Sequence, residues 1–91
     1  MKVVVDSNMS IYGLFQPPVE IELKGSTPNL RELLHVLSDL CKSVEFIRDD
    51  NMGSDVDRIL VNNKEHYYLD TSLNDGDEVM VMVEMAPLGG G

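Results

Sequence analysis

Hydrophobic residues along the chain change their spacing several times, and each change marks an element. Val3-Val4-Val5 is a β-branched run that predicts a first strand, ending near the turn-prone Ser7-Asn8. After a loop containing Gly13 and Pro17-Pro18, Val19-Glu20-Ile21-Glu22-Leu23 alternates apolar with acidic residues. That is the pattern of a strand with one buried and one wet face, and Gly25 closes it. The two strands are expected to pair as a hairpin. The spacing then becomes helical: Leu30, Leu33, Leu34, Leu37, Leu40 and Cys41 form one apolar stripe at about 100° per residue. Arg31, Glu32, His35, Ser38 and Asp39 lie off that stripe. Thr27 is the expected N-cap and Pro28 the first helical residue, since proline has no N–H to leave unpaired there.

Beyond Lys42 the pattern weakens. Val44-Glu45-Phe46-Ile47 reads as a short strand or an irregular packed segment, and residues 48–57, rich in Asp, Asn, Gly and Ser, as a loop. Arg58-Ile59-Leu60-Val61 predicts a central strand, Asn62-Asn63-Lys64-Glu65 its turn, and Tyr67-Tyr68-Leu69 a brief pairing at an edge. Gly76, within Leu73-Asn74-Asp75-Gly76-Asp77, occupies the place where a tight turn requires positive φ. Glu78 and Glu84 bracket an unbroken apolar strand, Val79-Met80-Val81-Met82-Val83; if the odd positions face the core, Met80 and Met82 face the other way. The order is β-β-α-β-(β)-β, one helix against a mixed sheet, an α+β domain of the β-grasp kind over residues 1–84. Residues 85–91, Met-Ala-Pro-Leu-Gly-Gly-Gly, are expected to be a flexible extension, because three glycines can neither fill a core nor hold a helix.

Length and charge narrow the functional classes. Ninety-one residues support a single core, and 43% apolar content is too high for intrinsic disorder. No apolar run approaches the roughly 20 residues of a spanning helix, and no secretory signal precedes the first strand, which makes the cytoplasm the expected location. Sixteen acids against seven bases give a net charge of −9. Such a domain is repelled by phosphate backbones and anionic lipid, so nucleic acid and membranes are not expected partners; basic proteins are. One cysteine permits no internal disulfide and no multi-cysteine metal site.

Candidate chemistry is correspondingly sparse. Asp49, Asp50, Asn51, Asp55 and Asp57 offer oxygens to a hard cation, but their spacing fits no calcium loop: Gly53 stands at position five and no glutamate at position twelve. Cys41, on the leucine stripe, reads as a core thiol, and His35 and His66 as surface histidines, the latter in a turn. No nucleophile–base pair, phosphate-cradling loop or metal set can be assembled, so the chain reads as an accessory protein without catalytic residues or a metal. The Gly-rich end is the feature with chemical potential. It is thin enough to enter a channel that any Cβ would block, and seven extended residues reach at most about 25 Å. Ordinary fraying is the plain alternative. Met80, Met82 and Met85 beside it offer an adaptable docking surface, or simply two covered faces of one strand.

Val61-Asn62-Asn63, followed ten residues later by Leu73-Asn74-Asp75-Gly76-Asp77-Glu78-Val79 and then by Pro-Leu-Gly-Gly-Gly, resembles the MoaD/ThiS sulfur-carrier proteins, which are ubiquitin-like β-grasp domains. The resemblance is specific over residues 59–79 and 87–91. It departs in the loop Asn8–Phe15, which lacks an Ala-x-Leu-Arg-like stretch, and in a third glycine, Gly89. It implies that Gly91 is adenylated by a partner, E1-like enzyme using its own ATP and magnesium, then converted to a thiocarboxylate; the carrier itself binds no cofactor. Gly90, Gly89, Leu88, Pro87, Met82 and Met80 are the implied partner-binding residues. Chain length favours the MoaD branch, in which sulfur passes to the large subunit of molybdopterin synthase for the molybdenum or tungsten cofactor. The ThiS branch, serving the thiazole of thiamine, is the shorter alternative. Two further readings stand beside these: a ubiquitin-like modifier joined to proteins through Gly91, and a passive binding module working through its acidic face or methionine strand.

Overall fold

Buried valines alternate with half-exposed residues along β1 (Lys2–Ser7), and β2 (Val19–Glu22) continues the alternation through Ile21. The two pair antiparallel, Val3 opposite Ile21 and Val5 opposite Val19, as the expected hairpin. The computed structural model describes residues 1–84. The other elements are α1 (Leu30–Leu40), β3 (Ile47–Arg48), β4 (Asn51–Met52), β5 (Val56–Val61), β6 (Lys64–His66) and β7 (Glu78–Val83). Five strands form one mixed sheet in the order β2-β1-β7-β5-β6, with β1 and β7 parallel and the other pairs antiparallel. This is the ubiquitin-like β-grasp architecture that the element order and the resemblance imply. Both sheet edges are short and charged: β2 exposes Glu20 and Glu22, β6 exposes Lys64 and Glu65.

One face of the sheet and the leucine stripe close the core. Val79, Val81 and Val83 point inward from β7, meeting Val3 and Val5 from β1 and Ile59 and Val61 from β5. Leu30, Leu33, Leu34, Leu37 and Cys41 cover them from the helix side, with Phe15 and Phe46 in the same core; all but Val83 and Val61 are within 1% of complete burial. Leu40, at the edge of the stripe, is half-buried.

Five local expectations change. The helix starts two residues later than the Thr27-Pro28 signal: Asn29 is the N-cap, extended at φ −124° and ψ 178°, and its side chain accepts from the Glu32 N–H at 3.1 Å. The delay has a tertiary cause. Residues 28–31 are held against the 69–73 segment, with Leu73 N–H donating to Pro28, Leu30 N–H to Thr71 and Arg31 N–H to Leu69. Residues 48–57 are not one loop, because β3 and β4 form a small hairpin whose turn residues Asp49 and Asp50 both have positive φ, 50° and 61°. Asn62 and Asn63 repeat this geometry at 51° and 69°, a two-residue turn whose twist suits a hairpin, so Lys64 and Glu65 are already strand. His66 therefore lies in β6 opposite Ile59 and not in a turn, while Tyr67 and Tyr68 lie beyond the strand, exposed. Gly76 does adopt positive φ, 85°.

Two stability predictions follow from these contacts. Asn29→Ala is expected to cost about 1 kcal/mol through the lost cap, roughly 4–8 °C in Tm for a domain this size, whereas Thr27→Ala stays within about 0.5 kcal/mol. Thermal melts of the two variants check where the helix begins. The Glu45 carboxyl is held below the usual range by the Ser54 hydroxyl, then by the Ser54 N–H, with Arg48 at 3.0 Å adding to it. A depressed carboxyl stabilises the fold above its unfolded value of about 4.3, and that contribution is lost as pH falls through the lower folded value. Denaturant midpoints for Glu45→Gln should lie below those of the parent near neutral pH and converge with them in acid.

Candidate functional site

The strand period that sends the odd residues of β7 into the core sends Met80 and Met82 to the opposite face. Register then selects their neighbours. Asp6 lies beside Met80 on one side and Leu60 on the other, Val4 lies beside Glu78, and Met82 beside Arg58. Val4, Leu60, Met80 and Met82 are half-buried, an apolar centre on the face away from α1. A pocket of about 350 Å³ opens there, with Val4, Pro18, Leu60 and Met80 as apolar lining and Asp6, Asn63 and Glu78 as polar lining. Neither Asp6 nor Glu78 is in an ion pair among the described residues. An apolar floor bordered by unneutralised carboxylates suits a protein surface carrying apolar and basic side chains.

The far end of β7 is fixed more tightly than a strand end requires. Past Ser7, β1 has no more backbone to offer, and the Asn8 side-chain amide takes over: its Nδ2 donates to Val83 O and its Oδ1 accepts from Val83 N–H, both at 2.8 Å. A primary amide presents the donor and acceptor of a peptide group, so Asn8 extends the parallel ladder with a side chain. Ser7 Oγ adds a bond to Val81 O at 2.7 Å. On the other flank Glu84 N–H donates to Asp55 O at 2.8 Å. The chain is thus held on both sides at residues 83–84, immediately before the Gly-rich segment.

Of the residues singled out by sequence, Met80 and Met82 lie together on the outer face; Pro87, Leu88, Gly89, Gly90 and Gly91 lie outside the described residues. Val4 and Leu60 belong with the methionines and could have been found by applying the two-residue period to β1 and β5. Asn8 could not, since its partner is 75 residues away. Cys41 is fully buried at the helix end, and burial raises its thiol above the ordinary value, which suits a core residue and not a nucleophile. His35, exposed, meets Asp50 across the helix–hairpin boundary, Nε2 to Oδ1 at 3.3 Å. Arg31 binds Asp70 at 2.6 Å and the Asp50 carbonyl at 3.1 Å, tying the helix to both loops. The aspartates of the 49–57 segment serve the backbone: Asp55 Oδ2 accepts from Glu45 N–H at 2.7 Å, and Asp49 and Asp50 make the turn. Among the described residues no three His, Cys, Asp or Glu side chains converge as a metal site.

Asn8→Ala removes two hydrogen bonds at the end of β7 and is expected to cost about 1–3 kcal/mol. Native-state amide exchange at Val83 should accelerate by a larger factor than at Val79, which distinguishes a loosened strand end from general destabilisation.

No protein-family model and no curated protein matches the chain. Solved structures do. A Pyrococcus furiosus protein assigned as molybdopterin converting factor subunit 1 superposes with a TM-score of 0.65 at 27% identity, covering 92% of this chain and 98% of that one. SAMP1 from Haloferax volcanii gives 0.67 at 17% identity over the whole of both chains, and Urm1 from Trypanosoma brucei 0.61 at 23% identity over 94% of each. The last two likenesses speak to fold alone, and all three agree on it. The chain is a ubiquitin-like β-grasp protein, similar in three dimensions to these proteins, and its residues from Ile59 to Val79 resemble those of the MoaD/ThiS proteins.

Proposed function

We propose that this chain is a cytoplasmic sulfur carrier, activated at the Gly91 carboxyl by an E1-like partner and recognised through the outer face around Met80 and Met82. The observation that carries the reading is the end of β7. The central strand of the sheet is tied to Asn8 and to Asp55 at residues 83–84, so the seven residues beyond it depart from a fixed point. Those residues read Met-Ala-Pro-Leu-Gly-Gly-Gly, a sequence slender enough for Pro87, Leu88, Gly89 and Gly90 to thread a narrow channel and bring Gly91 to a reactive centre.

The chemistry asks little of this chain beyond its carboxyl. A free carboxylate resists nucleophiles. One of its oxygens attacks the α-phosphorus of ATP, pyrophosphate leaves, and an acyl-adenylate results. Hydrosulfide then adds to the carbonyl carbon, the bond to AMP breaks, and a thiocarboxylate, AMP and a proton result; a persulfide in its place gives an acyl disulfide, which a thiol cleaves to the thiocarboxylate and a disulfide. ATP and magnesium belong to the partner. The assignment of the Pyrococcus furiosus neighbour supports transfer of the sulfur to a molybdopterin synthase large subunit. The net charge of −9 and the carboxylates lining the outer-face pocket support basic partner surfaces.

Incubating the chain with the adenylating enzyme of its host, ATP, magnesium and a sulfur donor should yield a mass gain matching one oxygen replaced by sulfur. Six methionines can gain oxygen with nearly the same mass, so fragmentation must place the change on Gly91. Gly90→Val should abolish it. Lysine-linked conjugates in denaturing gels, without free thiocarboxylate, would move the reading to protein modification.

A further inference from the structure

The part of the loop between β1 and β2 that spans residues 9–16 belongs to no strand of the sheet and does not line the outer-face pocket, yet it is built with care. Met9 and Phe15 anchor it in the core, 9% and 1% exposed. Between them Ile11 N–H donates to Phe15 O at 2.7 Å, Phe15 N–H returns the bond to Ile11 O at 2.8 Å, and Leu14 N–H adds a third at 3.0 Å. Gly13 turns the tip at φ +76° with nothing near the position of a Cβ. This scaffold holds Tyr12 and Leu14 out in solvent, 93% and 48% exposed, and the Tyr12 hydroxyl makes no hydrogen bond among the described residues.

An exposed leucine alone signifies nothing. A tyrosine and a leucine on a braced tip differ, because docking them costs little conformational entropy and tyrosine is a frequent anchor of protein interfaces. Position supplies the partner. The loop begins at Asn8, the residue bonded to Val83, so it projects from the end of the sheet where the chain enters its final segment. Residues 85–91 extend at most about 25 Å, so an enzyme acting on Gly91 must bring its body against this end of the domain.

We infer that Tyr12 and Leu14 dock into an apolar recess of the adenylating enzyme that takes up residues 85–91, a second contact beside the outer face of the sheet. The inference rests on the sulfur-carrier reading, and the test separates the two. In pyrophosphate-exchange assays with the host's adenylating enzyme, the double variant Tyr12→Ser, Leu14→Ser should raise KM for the carrier at least about tenfold with kcat within about twofold. Its melting temperature should match the parent, both side chains being exposed. Tyr12→Phe, which keeps the ring, should stay near the parental KM. Equal KM for parent and double variant overturns this inference while leaving the carrier reading intact; an inert parent chain overturns both. Sedimentation showing a parental dimer that the double variant loses would assign the loop to a second copy of the chain and overturn the inference as well.

Discussion

The middle strand of the sheet is the one that arrives last in the sequence, and most of the molecule depends on its insertion in register. β7 must pair in parallel with β1, more than seventy residues away, and antiparallel with β5. Its entry is set by the turn before it. Asp77 Oδ2 accepts from Asn74 N–H at 2.8 Å, Gly76 N–H donates to Lys2 O at 2.8 Å, and Asp75 accepts from Lys2 N–H at 2.8 Å, locking the turn to the start of β1. Asn62 secures the other flank, accepting from Glu78 N–H at 3.0 Å and donating to Asp77 at 3.1 Å. A slip of one residue would send Val79, Val81 and Val83 to the outer face and two methionines into the core. Helix packing, the outer apolar patch and the departure point of the final segment all follow from that one register.

The same contacts explain what the sequence resemblance consists of. The Asn-Asn and Asn-Asp-Gly-Asp stretches that liken this chain to the MoaD/ThiS proteins are occupied with placing β7, not with chemistry. Asn62 and Asn63 hold left-handed backbone, and Gly76 and Asp77 make the turn. Their role is architectural, which is why they point so directly to a fold. The residues that would decide function, on the outer face and in the Gly-rich segment, carry weaker sequence signals because a docking surface needs no fixed spacing.

Elements governed by their own local pattern were legible in the sequence. Alternation in β2 and β7 and the leucine stripe of α1 gave the layers and the core, and the glycine of the Asp-Gly-Asp turn announced its positive φ. Features governed by distant partners were not. Asn29 displaces Thr27 as N-cap only because the 69–73 segment holds the preceding residues extended. The β3–β4 hairpin hides behind an Asp-Asp turn, a pair less diagnostic than Asn-Gly, and strands of two residues show no period. In the outer patch, the two-residue period of β7 alone sends Met80 and Met82 away from the core. Val4 and Leu60 complete the patch only once register is known, and Asn8 gains its role only when the end of β7 lies beside it.

The shape of the sheet's two margins bears on how such a protein survives at cellular concentrations. A domain that leaves an apolar face open for others is also attractive to its own copies, and the commonest route to self-assembly is strand-to-strand growth along an unpaired border. Here one border offers four residues and the other three, each bearing ionised side chains, on a body whose charges mostly share one sign. A neighbouring molecule finds too few backbone groups to zip onto and meets repulsion on approach. Apolar contact is thereby left to side-chain surfaces such as the outer face and the Tyr12–Leu14 tip, while the short charged margins help to keep the population dispersed.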